Sequence, residues 1–339
     1  MLETPAGFEL NSDQVIRRVG EFIEQRLQNY NPQIKIIPAR KRGTNFSPDE
    51  PAIIEPLYRA EMIFMGPGSP TYAVRQLKDS LAWQVILARH RLGATLALAS
   101  AAVIAISAHA LPVYEIYKVG EDLHWKPGLN LFDLFGLQLV FIPHWNNNDG
   151  GMALDTSRCF MGQERFSRLI ELLPSGLTIL GIDEKTGLVI DPRTGDCEVI
   201  GSGGVTLIHT GQAHEGAISD TKLREAGLSE VAIERQGHVH NFMSGHSFTL
   251  SRLGSFKIPT SGSDLPEDVW RRALEHRQAK VELLAEGDTP PEEVIQMIQQ
   301  RQKAREDKDW SAADELRDQV EQMGWLIKDT ADGPRVEKM

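Results

Sequence analysis

The feature that most constrains the fold is a nearly unbroken apolar run at residues 94–112, which must be buried in protein or in lipid. Its length approaches that of a transmembrane helix. However, Ser100 and His109 interrupt the run, Pro112 ends it, and basic residues crowd positions 89–91. No second span of this kind occurs. We therefore expect a buried strand and helix and no contact with a membrane.

Composition sets the class of protein. The 339 residues can form one large core and a smaller module. A net charge of -11 disfavours strong binding to nucleic acid or to acidic membrane surfaces. Cys159 and Cys197 are the only cysteines, so neither a multi-cysteine zinc site nor a disulfide framework can form. We expect a reducing, cytoplasmic setting, with no metal or other cofactor.

Residues 1–210 alternate short apolar runs with helical patterns, which predicts a doubly wound, mostly parallel α/β sheet covered by helices. A single helix is predicted from residue 70 to residue 92. The predicted parallel strands are residues 34–38, 62–65, 95–98 and 137–142. After a helix near residues 163–172, short β runs predict an antiparallel extension at residues 177–182, 188–191, 198–200 and 205–209.

The remainder divides into two parts. Residues 211–263 have weak periodicity and are predicted to be a linker or β arm. Residues 264–339 are charged, acidic on balance, and predicted to form a helical C-terminal module. A packing or dimerisation hairpin is the preferred interpretation of this module, which leaves a homodimer open.

An α/β domain of this kind usually begins with a buried strand, but here only two apolar residues, Met1 and Leu2, precede the sequence Glu3-Thr4-Pro5. Either residues 1–4 are the end of a strand, or the sheet starts elsewhere. Our hypothesis is that the natural start lies upstream of Met1.

Ser100 lies between a predicted strand and a predicted helix, where a sharp turn would expose its hydroxyl as a nucleophile. Acyl transfer also needs donors for the developing oxyanion. The Ala101 N–H is one candidate. Gly68, at the end of the neighbouring strand, is the second, and its lack of a side chain would let a substrate approach closely.

His144 follows the predicted strand at residues 137–142, and ligands bind at the carboxyl ends of strands in open α/β sheets. We therefore predict His144 as the base. Glu115, shortly after the Ser100 helix, is the predicted orienting acid.

Several segments, taken in their order along the chain, resemble those of a known protein family. Residues 66–71 (GPGSPT), 98–102 (LASAA) and 143–147 (PHWNN) resemble the oxyanion turn, nucleophile elbow and histidine segment of the peptidase E and cyanophycinase-like serine peptidases. Residues 181–184 (GIDE) resemble a stretch of the cyanophycinase-like members, and this resemblance suggests that Glu184 lines the site or serves as the acid instead of Glu115. The resemblance covers about residues 1–208. It implies the class I glutamine amidotransferase-like fold and places Glu115 as the triad acid.

The same resemblance implies a substrate class. It suggests a dipeptidase or exopeptidase for small peptides or amides that favours acidic or aspartyl-linked substrates. Arg158 and Arg165 fall where that family carries arginines, and Arg165 would clamp a substrate carboxylate through two hydrogen bonds. Surface ion pairs are the alternative role for these arginines.

The elbow departs from the family pattern, because Leu98 and Ala102 replace its two glycines. Larger side chains are expected to crowd a tight turn, and a strained backbone there would lower the stability of the fold by about 1 kcal/mol or more. A catalytically inactive protein of the same fold, binding a small molecule or a partner, is therefore the first alternative.

From about residue 292 the chain resembles the terminal module of cysteinyl-tRNA synthetases, notably at residues 308–310 (KDW) and 313–318 (ADELRD). The resemblance implies a tRNA-associated accessory role as a second alternative. None of the aminoacylation machinery accompanies the module, so synthetase activity is not expected. The surrounding acidic residues disfavour strong tRNA binding.

Overall fold

A computed structural model describes residues 1–210, 236–259, 262, 264–288, 291–306, 309–330 and 333–338. The chain divides into two compact units, Met1–Ala273 and Leu274–Met339. Of the linker or β arm predicted at residues 211–263, residues 211–235 lie outside the described residues, and residues 236–259 contain two strands.

Two pairs of parallel strands organise the first unit. Strand β1 (Met62–Met65) pairs with β2 (Thr95–Leu98). Strand β5 (Leu139–Ile142) pairs with β6 (Thr178–Ile182). Leu2 adds parallel bridges to both Ile37 and Met65. In the described part of the chain the two pairs belong to separate sheets, so a continuous doubly wound sheet remains a prediction.

The remaining strands of this unit form antiparallel pairs. They are β3 (His109–Ala110), β4 (Lys126–Pro127), β7 (Thr186–Asp191), β8 (Asp196–Gly201), β9 (Gly204–Thr210), β10 (Gln236–Met243) and β11 (Ser247–Thr249). Strand β9 lies between β6 and β10 in a four-stranded sheet, and β11, β8 and β7 form a three-stranded sheet. The short strands β3 and β4 pair with each other.

Helices flank these strands. They are α1 (Ser12–Arg26), α2 (Pro51–Ile54), α3 (Pro70–Leu77), α4 (Leu81–Arg91), α5 (Ala101–Ala105) and α6 (Gly162–Glu171). Helix α7 (Glu267–Asp288) includes the residue at which the two units divide. The apolar run at residues 94–112 thus forms β2, α5 and β3. Among the described residues, no helix combines the length and apolar character needed to cross a bilayer.

The single helix predicted from residue 70 to residue 92 was wrong, because the chain breaks it into α3 and α4. Asp79 adopts a left-handed conformation with φ 58°, which interrupts the helix. The Ser80 hydroxyl then accepts a hydrogen bond from the Trp83 N–H at 3.1 Å and caps the start of α4.

The core of the first unit lies on both faces of β5. All four residues of this strand are buried. Leu139 and Phe141 pack into one apolar cluster, and Val140 and Ile142 into another. This division follows from the two-residue period of a strand. Burying each such side chain fully contributes about 1.5–3 kcal/mol to stability. This burial fixes the position of β5 and of the segment with His144 that follows it.

The second unit contains α8 (Glu292–Glu306), α9 (Trp310–Gln322) and a hairpin of β12 (Trp325–Thr330) with β13 (Gly333–Lys338). Val294, Val320, Trp325 and Ile327 form its small core. The helical prediction for this module missed the hairpin. The first strand of this hairpin buries alternate residues, Trp325 and Ile327, in the small core.

Candidate active site

Each candidate catalytic group follows the carboxyl end of a parallel strand. Gly68 follows β1 and Ser100 follows β2, and these strands pair in register with Met65 opposite Leu98. His144 follows β5 and Glu184 follows β6, with Ile142 opposite Gly181. Because equivalent ends of paired parallel strands lie at one edge, the loops that follow them converge.

Ser100 occupies a strained turn between β2 and α5. Its backbone has φ 52° and ψ -113°, a conformation that costs a non-glycine residue on the order of 1–3 kcal/mol. The Ala99 N–H donates to the Met65 carbonyl at 3.0 Å, which ties the turn to β1. Such strain concentrates at functional sites, since it aims a side chain that a relaxed backbone would direct elsewhere.

The substituted elbow positions do not share this strain. Among the described residues, neither Leu98 nor Ala102 has a positive φ. Ala102 is buried and packs into the apolar core, with Leu98 packed against the same cluster. The strain expected from replacing the two glycines is therefore absent at both positions, and the turn forms with larger side chains.

A chain of hydrogen bonds links three side chains. The Ser100 Oγ lies 3.0 Å from His144 Nε2. On the opposite side of the imidazole, Nδ1 lies 3.1 Å from Glu184 Oε1. The hydroxyl, imidazole and carboxylate thus have the order in which a base accepts a hydroxyl proton and an acid orients the base.

The Glu115 prediction needs correction, because its carboxylate binds elsewhere. Glu115 Oε1 accepts a hydrogen bond from the Thr71 hydroxyl at 2.6 Å and lies 3.8 Å from Lys126 Nζ. Glu184 is the carboxylate that contacts His144. The physical reason is strand pairing: β6 lies directly beside β5, so the residue after β6 reaches the imidazole that follows β5.

Two asparagines that sequence reasoning did not single out hold Glu184. The Asn147 side chain donates to Glu184 Oε1 at 2.9 Å, and Asn146 Oδ1 accepts from the Glu184 N–H at 2.8 Å. The hydrogen bond from Asn147, followed by that from His144, holds the pKa of Glu184 below its usual range. The carboxylate therefore stays ionised. Proximity to His144 in the sequence was the available signal for both asparagines.

Trp145 fixes the backbone that carries His144. The Trp145 N–H donates to the Ile182 carbonyl at 3.0 Å, which extends the β5–β6 pairing by a further contact. A Cβ atom at Gly181 would lie 2.3 Å from the Trp145 ring, so only glycine leaves room for the indole. His144 itself has φ 54°, and this packing holds it there.

The two candidate oxyanion donors have different surroundings from those expected. Gly68 has φ +148°, and a Cβ there would lie 1.9 Å from the Pro5 carbonyl oxygen. The glycine is thus required by the N-terminal segment that packs on it, not by an approaching substrate. In the described part of the chain, neither the Gly68 N–H nor the Ala101 N–H donates a hydrogen bond. Both remain suitable as oxyanion donors.

The predicted substrate arginines are directed toward backbone carbonyls. Arg165 Nε donates to Met161 O at 2.6 Å, and its Nη2 donates to Phe160 O at 2.8 Å. Arg158 Nη1 donates to Trp145 O at 3.0 Å, and its guanidinium lies 3.9 Å from the Trp145 ring centroid. Burial lowers the pKa of Arg158. These contacts stabilise the loop after His144.

Neither a metal site nor a thiol nucleophile is found in the described residues. They contain no group of three or more His, Cys, Asp or Glu side chains suited to holding a metal ion. Cys159 is fully buried, and burial raises the pKa of its thiol to about 12. The thiol is therefore protonated at neutral pH and unreactive as a nucleophile.

Among solved structures, the chain resembles a crystal structure of a peptidase from an acI-B1 Actinobacterium. The TM-score is 0.51 at 20% sequence identity, covering 74% of this chain and 82% of the other. At this identity the likeness establishes the fold, which the chain shares with that peptidase.

The C-terminal segment has a separate match. Residues 289–335 match the family described as the cysteinyl-tRNA ligase anticodon binding domain. A cysteine–tRNA ligase of Chlamydia felis is 47% identical over 49 residues, 14% of this chain and 10% of the ligase. One of Methanosarcina mazei is 35% identical over 54 residues, 16% and 11% of the two chains. The chain therefore spans about a tenth of the length of these ligases.

Proposed function

We propose that the first unit is a serine peptidase-like hydrolase of small peptides or amides. Ser100 is the nucleophile, His144 the base and Glu184 the orienting acid. The observation that carries this proposal is the continuous hydrogen-bond chain from the Ser100 hydroxyl through His144 to Glu184, starting at a strained turn. The fold shared with a peptidase is consistent with it.

The geometry supports an acyl-transfer sequence. His144 Nε2 takes the Ser100 proton as Oγ attacks the substrate carbonyl, and the Gly68 and Ala101 N–H groups receive the oxyanion. The imidazolium then protonates the leaving amine. Water, deprotonated by His144, attacks the acyl-enzyme and regenerates Ser100. Glu184 stabilises the imidazolium, and general acid–base catalysis of this kind contributes about 10²–10⁴-fold.

A fluorophosphonate probe tests this proposal. The wild-type chain should be labelled, and Ser100→Ala should abolish labelling. Ser251→Ala is the matched control, since Ser251 is exposed and lies in the short 3₁₀ helix Leu250–Leu253. Labelling that survives Ser100→Ala would place the nucleophile elsewhere.

If the chain is instead a catalytically inactive protein of the same fold, the probe should not label it. A folded wild-type chain that is not labelled at any pH would favour a binding protein of the same fold. The presence of Leu98 and Ala102 at the elbow motivates this alternative. The hydrogen bond between Ser100 and His144 favours the hydrolase instead.

A tRNA-associated role is the second candidate function, and the match at residues 289–335 favours it. The test is binding of tRNA to the full chain over a salt series, since phosphate contacts make affinity fall steeply with salt. Lys303→Glu on α8 should weaken binding, while Glu171→Gln on α6 serves as a control. An absence of tRNA binding at low salt would remove this role. Sedimentation of the same samples reports whether the chain forms a homodimer.

A further inference from the structure

We propose that the site accepts a substrate with an apolar or aromatic side chain, received by Phe160 and Tyr117, in preference to an acidic one. This proposal rests on the proposed hydrolase function and names its substrate class. It reassigns Arg158 and Arg165 from substrate binding to support of the loop that presents Phe160.

The Phe160 ring lies beside the candidate base, and the Tyr117 ring lies beside Phe160. The Phe160 ring centroid is 6.3 Å from that of His144 and 5.3 Å from that of Tyr117. Both rings are partly exposed. His144 in turn contacts Ser100 Oγ. Partly exposed aromatic rings are the usual lining of a site that binds apolar groups.

The backbone around Phe160 is held in an unfavourable conformation. Arg158, Cys159 and Phe160 have φ values of 55°, 57° and 68°, a left-handed turn of consecutive non-glycine residues. Each such residue costs roughly 1–2 kcal/mol. The turn persists because it is tied to the catalytic segment: the Arg158 N–H donates to Trp145 O, and the Cys159 N–H to His144 O. This strain places Phe160 next to His144.

Both arginines already donate hydrogen bonds to backbone carbonyls. A bidentate clamp uses two parallel N–H groups of one guanidinium. In Arg165 the Nε and Nη2 donors, which form one edge of the group, already bind Met161 O and Phe160 O. Arg158 binds Trp145 O and covers the Trp145 ring. The ionised Glu184 beside His144 adds repulsion toward a second carboxylate.

Dipeptides X-Leu that differ only in X test the substrate class, with X as Phe, Leu, Ala or Asp. We expect kcat/KM for Phe-Leu to exceed that for Ala-Leu and for Asp-Leu by about tenfold or more, as apolar pockets discriminate on this scale. In Phe160→Ala the ratio of Phe-Leu to Ala-Leu should fall at least about fivefold. Phe22→Ala, which removes an exposed ring from α1, should leave the ratio unchanged.

Arg165→Lys separates loop support from substrate binding. A lysine cannot reproduce the paired hydrogen bonds to Phe160 O and Met161 O, so kcat/KM should fall by a similar factor for every X. A loss confined to Asp-Leu would identify Arg165 as a carboxylate clamp and overturn the proposal. Thermal unfolding of each variant shows that the protein remains folded.

The outcomes also distinguish this proposal from the proposed function. Fluorophosphonate labelling with fastest hydrolysis of Asp-Leu would overturn the apolar preference and leave the hydrolase intact. An unchanged ratio in folded Phe160→Ala would overturn the role of Phe160. Absence of both labelling and hydrolysis in the wild type would overturn the hydrolase, and the substrate class with it.

Discussion

Two glutamates near the candidate site differ in what surrounds them. Glu115 begins a turn at Glu115–Val119, and its Oε1 binds the Thr71 hydroxyl, while its Oε2 is buried without a hydrogen-bond partner among the described residues. Glu184 lies just after β6, and its Oε1 receives hydrogen bonds from both Asn147 and His144. One carboxylate binds the start of α3, and in the proposed hydrolase the other orients the base.

The difference shows that chain order is a weak guide to which acid meets a histidine. Glu115 comes sooner after Ser100, whereas Glu184 lies 40 residues beyond His144. Pairing of β5 with β6 removes that separation in space. Substitutions that act on one glutamate and spare the other test this comparison.

Replacing Glu184 should have the largest effect. Glu184→Gln keeps the shape but removes the charge that stabilises the imidazolium, and we expect kcat to fall about 10²–10⁴-fold with a smaller change in KM. Steady-state kinetics on the best dipeptide measures both constants. A fall of less than about threefold, the size of an ordinary surface substitution, would mean that Glu184 does not orient the base.

Gly181→Ala should have the next largest effect, because the new Cβ would overlap the Trp145 ring. The ring must move and would shift His144 with it. A displacement of about 1 Å in a catalytic group can reduce kcat about 10²-fold. Gly187→Ala is a milder comparison on the next strand, where the Cβ would lie 3.1 Å from the Ile200 side chain. Equal activity in the two variants would contradict the positioning role of Trp145.

Asn147→Ala should lower kcat by an intermediate amount and change how the stability of the fold depends on pH. Loss of its hydrogen bond lets the pKa of Glu184 rise toward its ordinary value, and kcat should fall about tenfold, as for one hydrogen bond to a charged group.

The same hydrogen bond should also affect stability. A depressed carboxylate pKa stabilises the fold above the ordinary value, about 4.3 for glutamate. That stability is lost as pH falls through the folded-state pKa. The variant should therefore be less stable than wild type at pH 7, and the difference should shrink near pH 3. Urea unfolding at both pH values measures it, and a constant difference would contradict the assigned pKa shift.

Glu115→Gln should have the smallest effect. Glutamine can still accept the Thr71 hydrogen bond, and the proposed mechanism does not use this carboxylate, so kcat should change less than about threefold. A loss as large as that of Glu184→Gln would restore Glu115 as the orienting acid and reverse the comparison.

Local signals in the sequence indicated much of the site. Ser100 and His144 each follow an apolar strand pattern, and Gly68 lies in a glycine- and proline-rich turn, so all three could be singled out without a structure. The strands β1 and β2 were predicted with the bounds that the structure has. The break between α3 and α4 was not, because Leu81, Val85 and Ala88 continue the apolar period across it.

The sequence by itself determined the strands β1 and β2 and the burial of most of residues 101–112, and it indicated the candidate nucleophile and base, because each depends on a period or a turn within a few residues. Only the tertiary structure decided which acid meets His144 and where Arg158 and Arg165 direct their donors. Those contacts depend on which strands lie side by side and on a left-handed turn held by distant carbonyls, neither of which has a local pattern.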